Sequence, residues 1–107
     1  MKIYISGGIT GVPDYIQRFT DAQKPIEEIY HHTVINPALD NAILSTKLTY
    51  DEIMEICFRE IDLCDILVMI PGWEKSNGAR KERQYAMLRS MPVYEFADFM
   101  IEQRRSL

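Results

Sequence analysis

The 107-residue sequence is short of several residue types that would define a site or a compartment, and each shortage narrows its class. Two histidines and two cysteines leave little for a metal centre, since His31 and His32 are adjacent and lack ligand spacing. Cys57 and Cys64 stand seven residues apart, within and at the end of one helical pattern, and read as buried, reduced thiols. No apolar run approaches the roughly 20 residues of a membrane span. No signal-peptide pattern follows Met1, so a cytoplasmic protein with no membrane partner is expected, and there a disulfide is disfavoured. A basic excess is missing too. The net charge of −4 gives no support for a nucleic-acid polymer as partner, because phosphate backbones select basic surfaces. A mononucleotide, held by a few local donors, stays open. There is no repeat, linker or low-complexity segment. What remains is an ordinary globular composition, 47% apolar and 26% charged, and a length that suits one domain over residues 1–107.

The chain alternates short β-rich runs with helical patterns. Lys2–Ser6 is a β-rich, apolar strand that stops at Gly7-Gly8, and Gly11 and Pro13 extend the loop. Asp14 caps a helix reaching about Tyr30, with Tyr15, Phe19, Ala22, Ile26 and Ile29 on one face and a kink or restart expected at Pro25. Thr33–Asn36 is a second strand, closed by Pro37, and Ala38–Thr49 has no clean period and reads as a loop with room for one helical turn. Thr49 and Glu52 form a capping box ahead of a stripe of Ile53, Met54, Cys57, Ile61 and Cys64. Asp65–Ile70 is the most apolar run and suits a central parallel strand buried on both faces. A helix opens at Asn77 or Gly78 and runs to about Arg89, with Ala79, Tyr85, Ala86 and Leu88 as apolar positions. Pro92–Glu95 is a fourth strand and Phe96–Arg105 a closing helix. Strand–helix alternation of this kind calls for a four-stranded parallel sheet, order 2-1-3-4, with helices on both faces: a flavodoxin-like or Rossmann-like three-layer α/β sandwich.

Ligands of such sheets bind beyond the carboxyl ends of the strands where the order reverses, here between the first and third strands. Two loops meet there. In the first, Gly7, Gly8 and Gly11 allow close backbone approach, Ser6 and Thr10 supply hydroxyls, and the following helix start favours an anion. It is not a Walker A loop, because the Gly-Lys-Ser/Thr element is absent. The second holds Trp73, Ser76, Gly78 and Glu82, with Lys75, Arg80, Lys81 and Arg83 forming a local positive field. Each has an alternative use: Trp73 as a cover for the core, Ser76 as an N-cap, Glu82 as a solvated acid near a helix start, the cations as solvated helix charge.

The opening Met1-Lys-Ile-Tyr-Ile-Ser-Gly-Gly-Ile-Thr-Gly11 and the block Cys64-Asp-Ile-Leu-Val-Met-Ile-Pro-Gly-Trp-Glu-Lys-Ser-Asn-Gly-Ala-Arg-Lys-Glu82 resemble the nucleoside 2-deoxyribosyltransferase-like superfamily. The match is nearest to a small branch frequent in phages and prophages, and it spans nearly the whole chain. The resemblance implies a parallel α/β fold and cleavage or transfer of the N-glycosidic bond of 2′-deoxynucleosides or their 5′-monophosphates. It implies that Glu82 is the nucleophile or sugar-binding carboxylate. The glycine-rich loop, Ser76 and Gly78 would hold a 5′-phosphate, as in the related monophosphate N-glycosidases, and Trp73 would stack on or cover the ligand. No metal or organic cofactor is implied, and a homo-oligomer is expected, in which neighbouring chains complete the site.

The sequence departs from the hydrolase branch at its second acid. Counting back eight residues from Asp65, to where that branch has an aspartate, lands on Cys57. Glu55 and Glu60 lie nearby, at positions expected to face other directions on the helix. Arg80 stands where the hydrolases have a glycine, and Gly8 and Thr10 replace a more polar loop. The alternative expectation is therefore a non-catalytic module that binds or sequesters a nucleotide.

Overall fold

The computed structural model describes residues 1–40 and 47–106. Its strands are β1 (Lys2–Ser6), β2 (Thr33–Ile35), β3 (Ile66–Met69) and β4 (Val93–Glu95), and its α-helices are α1 (Tyr15–Glu28), α2 (Tyr50–Asp62), α3 (Asn77–Leu88) and α4 (Phe96–Arg105). The strands form one all-parallel sheet in the order β2-β1-β3-β4, as the alternation predicts. Residues 41–46, half of the stretch expected to be a loop, lie outside the described residues, and a turn of 3₁₀ helix occupies Pro37–Leu39.

Strand parity sorts the core into two layers. Ile3 and Ile5 of β1 join Ile66, Val68 and Ile70 on the face covered by Phe19, Ala22 and Ile26 of α1 and Phe99 of α4. Tyr4 shares the other face with Leu67 and Met69, against Cys57 and Ile61 of α2 and Ala79 and Ala86 of α3. Both cysteines are free and buried in this second layer. The central strands β1 and β3 are covered on both sides, which explains their unbroken apolar runs.

The Thr49–Glu52 capping box forms with both reciprocal hydrogen bonds, Glu52 N to Thr49 Oγ1 at 3.2 Å and Thr49 N to Glu52 Oε1 at 3.1 Å. Two details of α1 differ from expectation. The Asp14 side chain makes no capping bond and instead accepts from Arg18 Nε at 3.0 Å, one helical turn on. Nor does α1 restart at Pro25; it runs unbroken to Glu28, close to the expected end, because a proline in the last turn removes one hydrogen bond and leaves the packing face of Phe19, Ala22 and Ile26 intact. Leu88, read as one of the apolar positions of α3, is 77% exposed, since the inward positions are Ala79, Glu82 and Ala86.

Thr49 is exposed, so its substitution tests chiefly the cap. Thr49→Ala is expected to cost about 1 kcal/mol, read as a lower urea midpoint at unchanged m-value. An unchanged midpoint would show that the box does not hold α2.

Candidate active site

The inward stripe of α3 carries an acid between two alanines. Ser76 caps the helix, its Oγ accepting from Ala79 N at 3.1 Å, and this sets the register in which Ala79, Glu82 and Ala86 face the sheet. The small alanines let α3 approach β1 and β3 closely, and Glu82 is driven into the layer at 5% exposure. Opposite it stand alternate residues of β1. Ser6 Oγ donates to Glu82 Oε1 at 2.8 Å, and the Tyr4 hydroxyl donates to Glu82 Oε2. Both hydroxyl residues have no exposed surface. Cys57 comes in from α2, and its thiol lies against Tyr4 and Glu82.

Burial dominates the electrostatics of this cluster. It pushes the Glu82 carboxyl up to about 7, even though contacts from Tyr4, Ser6 and Cys57 favour the ionised form. Burial, and then the Glu82 charge, raise the Tyr4 phenol well above its ordinary value and push the Cys57 thiol up to about 12. Tyr4 and Cys57 are therefore neutral throughout the accessible pH range. Of these three groups Glu82 is the one that changes charge near neutrality.

Glu82 forms part of the wall of a cavity of about 170 Å³ at the carboxyl ends of β1 and β3. Gly7, Ile9, Thr10, Pro37, Tyr50, Ile53, Met54, Cys57, Ser76, Gly78 and Ala79 complete its lining. A second cleft of about 420 Å³ adjoins it, shares Thr10 and Ser76, and is lined by Gly8, Gly11, Gly72, Arg18 and Lys75 among others. The two loops are in close contact. A Cβ on Gly7 would stand 3.1 Å from Ile70 Cβ, and Gly11 holds φ at +75°, so both positions suit glycine.

The structure thus brings together Ser6, Gly7, Gly8, Thr10, Gly11, Ser76, Gly78 and Glu82. Ser6 acts from beneath, through Glu82. Trp73 is not among them. Its indole N–H is shared between the Glu95 carboxylate oxygens at 2.8 and 3.0 Å, Arg83 lies over its ring, and it lines a separate surface depression beside Arg80 and Met87. That depression is larger, about 570 Å³, but it has no acid in its lining. The expected positive field is also dispersed. Arg80 ties the loop by donating to the Glu74 carbonyl and to Asn77, and Lys81 sits 4.6 Å from the Tyr50 ring centroid. Lys75 alone of the four lines the cleft, joined there by Arg18 from α1.

Sequence reading passes over Tyr4 and Arg18. The signal for Tyr4 was its parity with Ser6 on β1, hidden because an aromatic residue in a buried strand reads as core. Glu60 also differs from expectation. It turns inward one helical turn beyond Cys57, with Oε2 shielded from solvent and lacking a hydrogen-bond partner among the described residues. Burial, then Asp40, raise its carboxyl to about 8. Glu55 faces outward, paired with Arg59.

The raised Glu82 pKa has a stability consequence with a definite sign. As pH climbs from 4.5 toward 7 the unfolded chain releases this proton before the folded one, so the fold loses stability, by up to about 3 kcal/mol. Glu82→Gln keeps the neutral, hydrogen-bonding form and removes this loss. Urea melts at pH 5 and pH 8 should therefore show the variant gaining on the wild type by that order. Parallel pH dependences would contradict a buried, raised carboxyl.

A comparison with curated proteins returned no match. A family model, by contrast, matches residues 1–95, a span that holds all four strands and the whole Glu82 cluster. The chain belongs to the family described as Domain of unknown function (DUF4406).

Proposed function

We propose that the protein binds a nucleoside or nucleotide in this double cleft and breaks or transfers its N-glycosidic bond. The observation that carries the reading is Glu82: a buried carboxyl in the cavity wall, held by two hydroxyl donors and titrating near neutrality. Departure of a base builds positive charge at the sugar C1′ and ring oxygen, and a carboxylate on the opposite side stabilises that charge or captures it as an ester. An ionised carboxylate offers about four acceptor positions. Tyr4 and Ser6 take one on each oxygen and so hold the plane of the group without using it up. The resemblance to deoxyribosyltransferase-like proteins supports the same role for Glu82.

The adjoining cleft suits the 5′-phosphate. Gly8 and Gly11 bring backbone close, Ser76 offers a hydroxyl, and Lys75 and Arg18 offer charge, although Arg18 also pairs with Asp14. A second reading, nucleotide binding without turnover, is favoured by Cys57. Its thiol stays protonated and inert where a second acid would serve catalysis.

Incubation with a panel of 2′-deoxynucleoside 5′-monophosphates should release free base, resolved by liquid chromatography. Glu82→Gln should lower that release by a factor on the order of 10³ or more. The wild-type rate should rise with pH through about 7, as Glu82 ionises. Tight binding by calorimetry without release establishes the second reading, and a Gln variant that keeps full turnover removes Glu82 from the chemistry. Lys75→Ala should weaken binding of a monophosphate but leave that of the corresponding nucleoside unchanged. Equal losses for both would place the phosphate elsewhere.

A further inference from the structure

The two lobes of the cleft carry opposite charge. Among the described residues that line the cavity Glu82 is the one acid, and none is a lysine, arginine or histidine. The adjoining lobe holds Lys75 and Arg18 together with Asp14, which pairs with Arg18 at 3.0 Å, so the unbalanced charge there is that of Lys75. Residues 41–46, Asn-Ala-Ile-Leu-Ser-Thr, contain neither acid nor base, so this charge inventory does not depend on them. A ligand that spans the cleft is matched when it is cationic at the Glu82 end and anionic at the other.

Proton supply points the same way. A neutral base leaves a sugar readily only when an acid protonates it, and the cavity is poor in acids. Tyr4 and Ser6 each have one hydroxyl proton, and both donate it to Glu82. Cys57 holds its proton up to about pH 12. Glu60, the next carboxyl along α2, lies outside the lining and is engaged with Asp40. Thr10 and Ser76 add only aliphatic hydroxyls, and the Tyr50 phenol, with Lys81 4.6 Å from its ring centroid, stands in a lining whose one carboxylate among the described residues is Glu82.

We propose that the base this site releases is already a cation in the substrate, a pyridinium or an N7-alkylated purinium joined to the sugar of a 5′-phosphorylated nucleoside. The inference rests on the N-glycosidic reading above and narrows its substrate class. As the C1′–N bond breaks, its electron pair passes into the ring, which departs neutral and needs no proton. A Glu82 oxygen bonds to C1′ as an ester. Water then adds at C1′, the Glu82 carboxylate leaves, and the surplus proton passes to solvent. The polarisable Met54 sulfur and the carboxylate together suit a flat, delocalised cation, which is cheaper to bury than a compact one.

The test compares 2′-deoxyguanosine 5′-monophosphate with its N7-methyl derivative, which differ in the charge of the leaving base and share sugar and phosphate. Base release by the wild-type protein near neutral pH is measured against a protein-free blank, because the methylated nucleotide also decays unaided. With no acid assisting departure, the blank-corrected kcat/KM should favour the N7-methyl compound by at least ~100-fold, the lower end of what general-acid catalysis contributes. Rates within a few-fold of one another would mean that an acid protonates the base. That result overturns the inference and leaves the N-glycosidic reading standing. Release of guanine alone has the same meaning. Release from neither compound overturns both.

Discussion

The hydrogen-bonded group formed by Glu82, Tyr4 and Ser6 is the constraint around which one layer of this protein is arranged. A carboxyl buried between a helix and a sheet is expensive unless its oxygens find donors. Here both donors come from one strand, two residues apart, so the pleat of β1 sets their spacing and direction. The register of α3 sets the rest. Ser76 fixes where the helix starts, and Ala79 and Ala86 let it lie close enough for the glutamate to reach the strand. Burial wins over these donors in the balance of terms, which leaves Glu82 half-ionised near neutrality.

The topology puts this group where a ligand can use it. Both strands flanking the cleft end at the same edge of a parallel sheet, and their loops meet at the reversal of strand order. Glycines allow that meeting: Gly8 stands against Ser76 and Gly7 against Ile70. The result is a narrow, mostly apolar cavity with an acid in its wall, adjoining a wider cleft that holds Lys75 and the Arg18–Asp14 pair.

Much of this was legible in the residues. The parallel sheet follows from the alternation of short apolar runs with helical patterns, and the Thr49–Glu52 box announces α2 by a local hydrogen-bond logic that tertiary packing does not alter. Ser76, Gly78 and Glu82 are recognisable together because they share one loop and one helix start. Harder to read is anything that depends on contacts between distant elements. Trp73 sits in the right loop, yet its indole finds Glu95 on β4 and turns away from the cleft. Glu60 is an ordinary helical acid until the packing of α2 turns it inward. Asp14 has a capping residue's position, but Arg18 competes for its carboxylate and wins. Tyr4 and Arg18 enter the site from β1 and α1, elements whose patterns speak only of core and surface.

The central claim is that Glu82 is a buried, hydroxyl-held carboxyl whose charge changes near neutral pH. Carbon-13 NMR of protein labelled at the glutamate side-chain carboxyl carbon measures this directly, with the Glu82 resonance identified as the one missing from the Glu82→Gln variant. The account predicts that this resonance titrates near pH 7, more than two units above the ordinary 4.5 of a glutamate. A midpoint at the ordinary value would contradict it, because the carboxyl would then be solvated and the site as described would not exist.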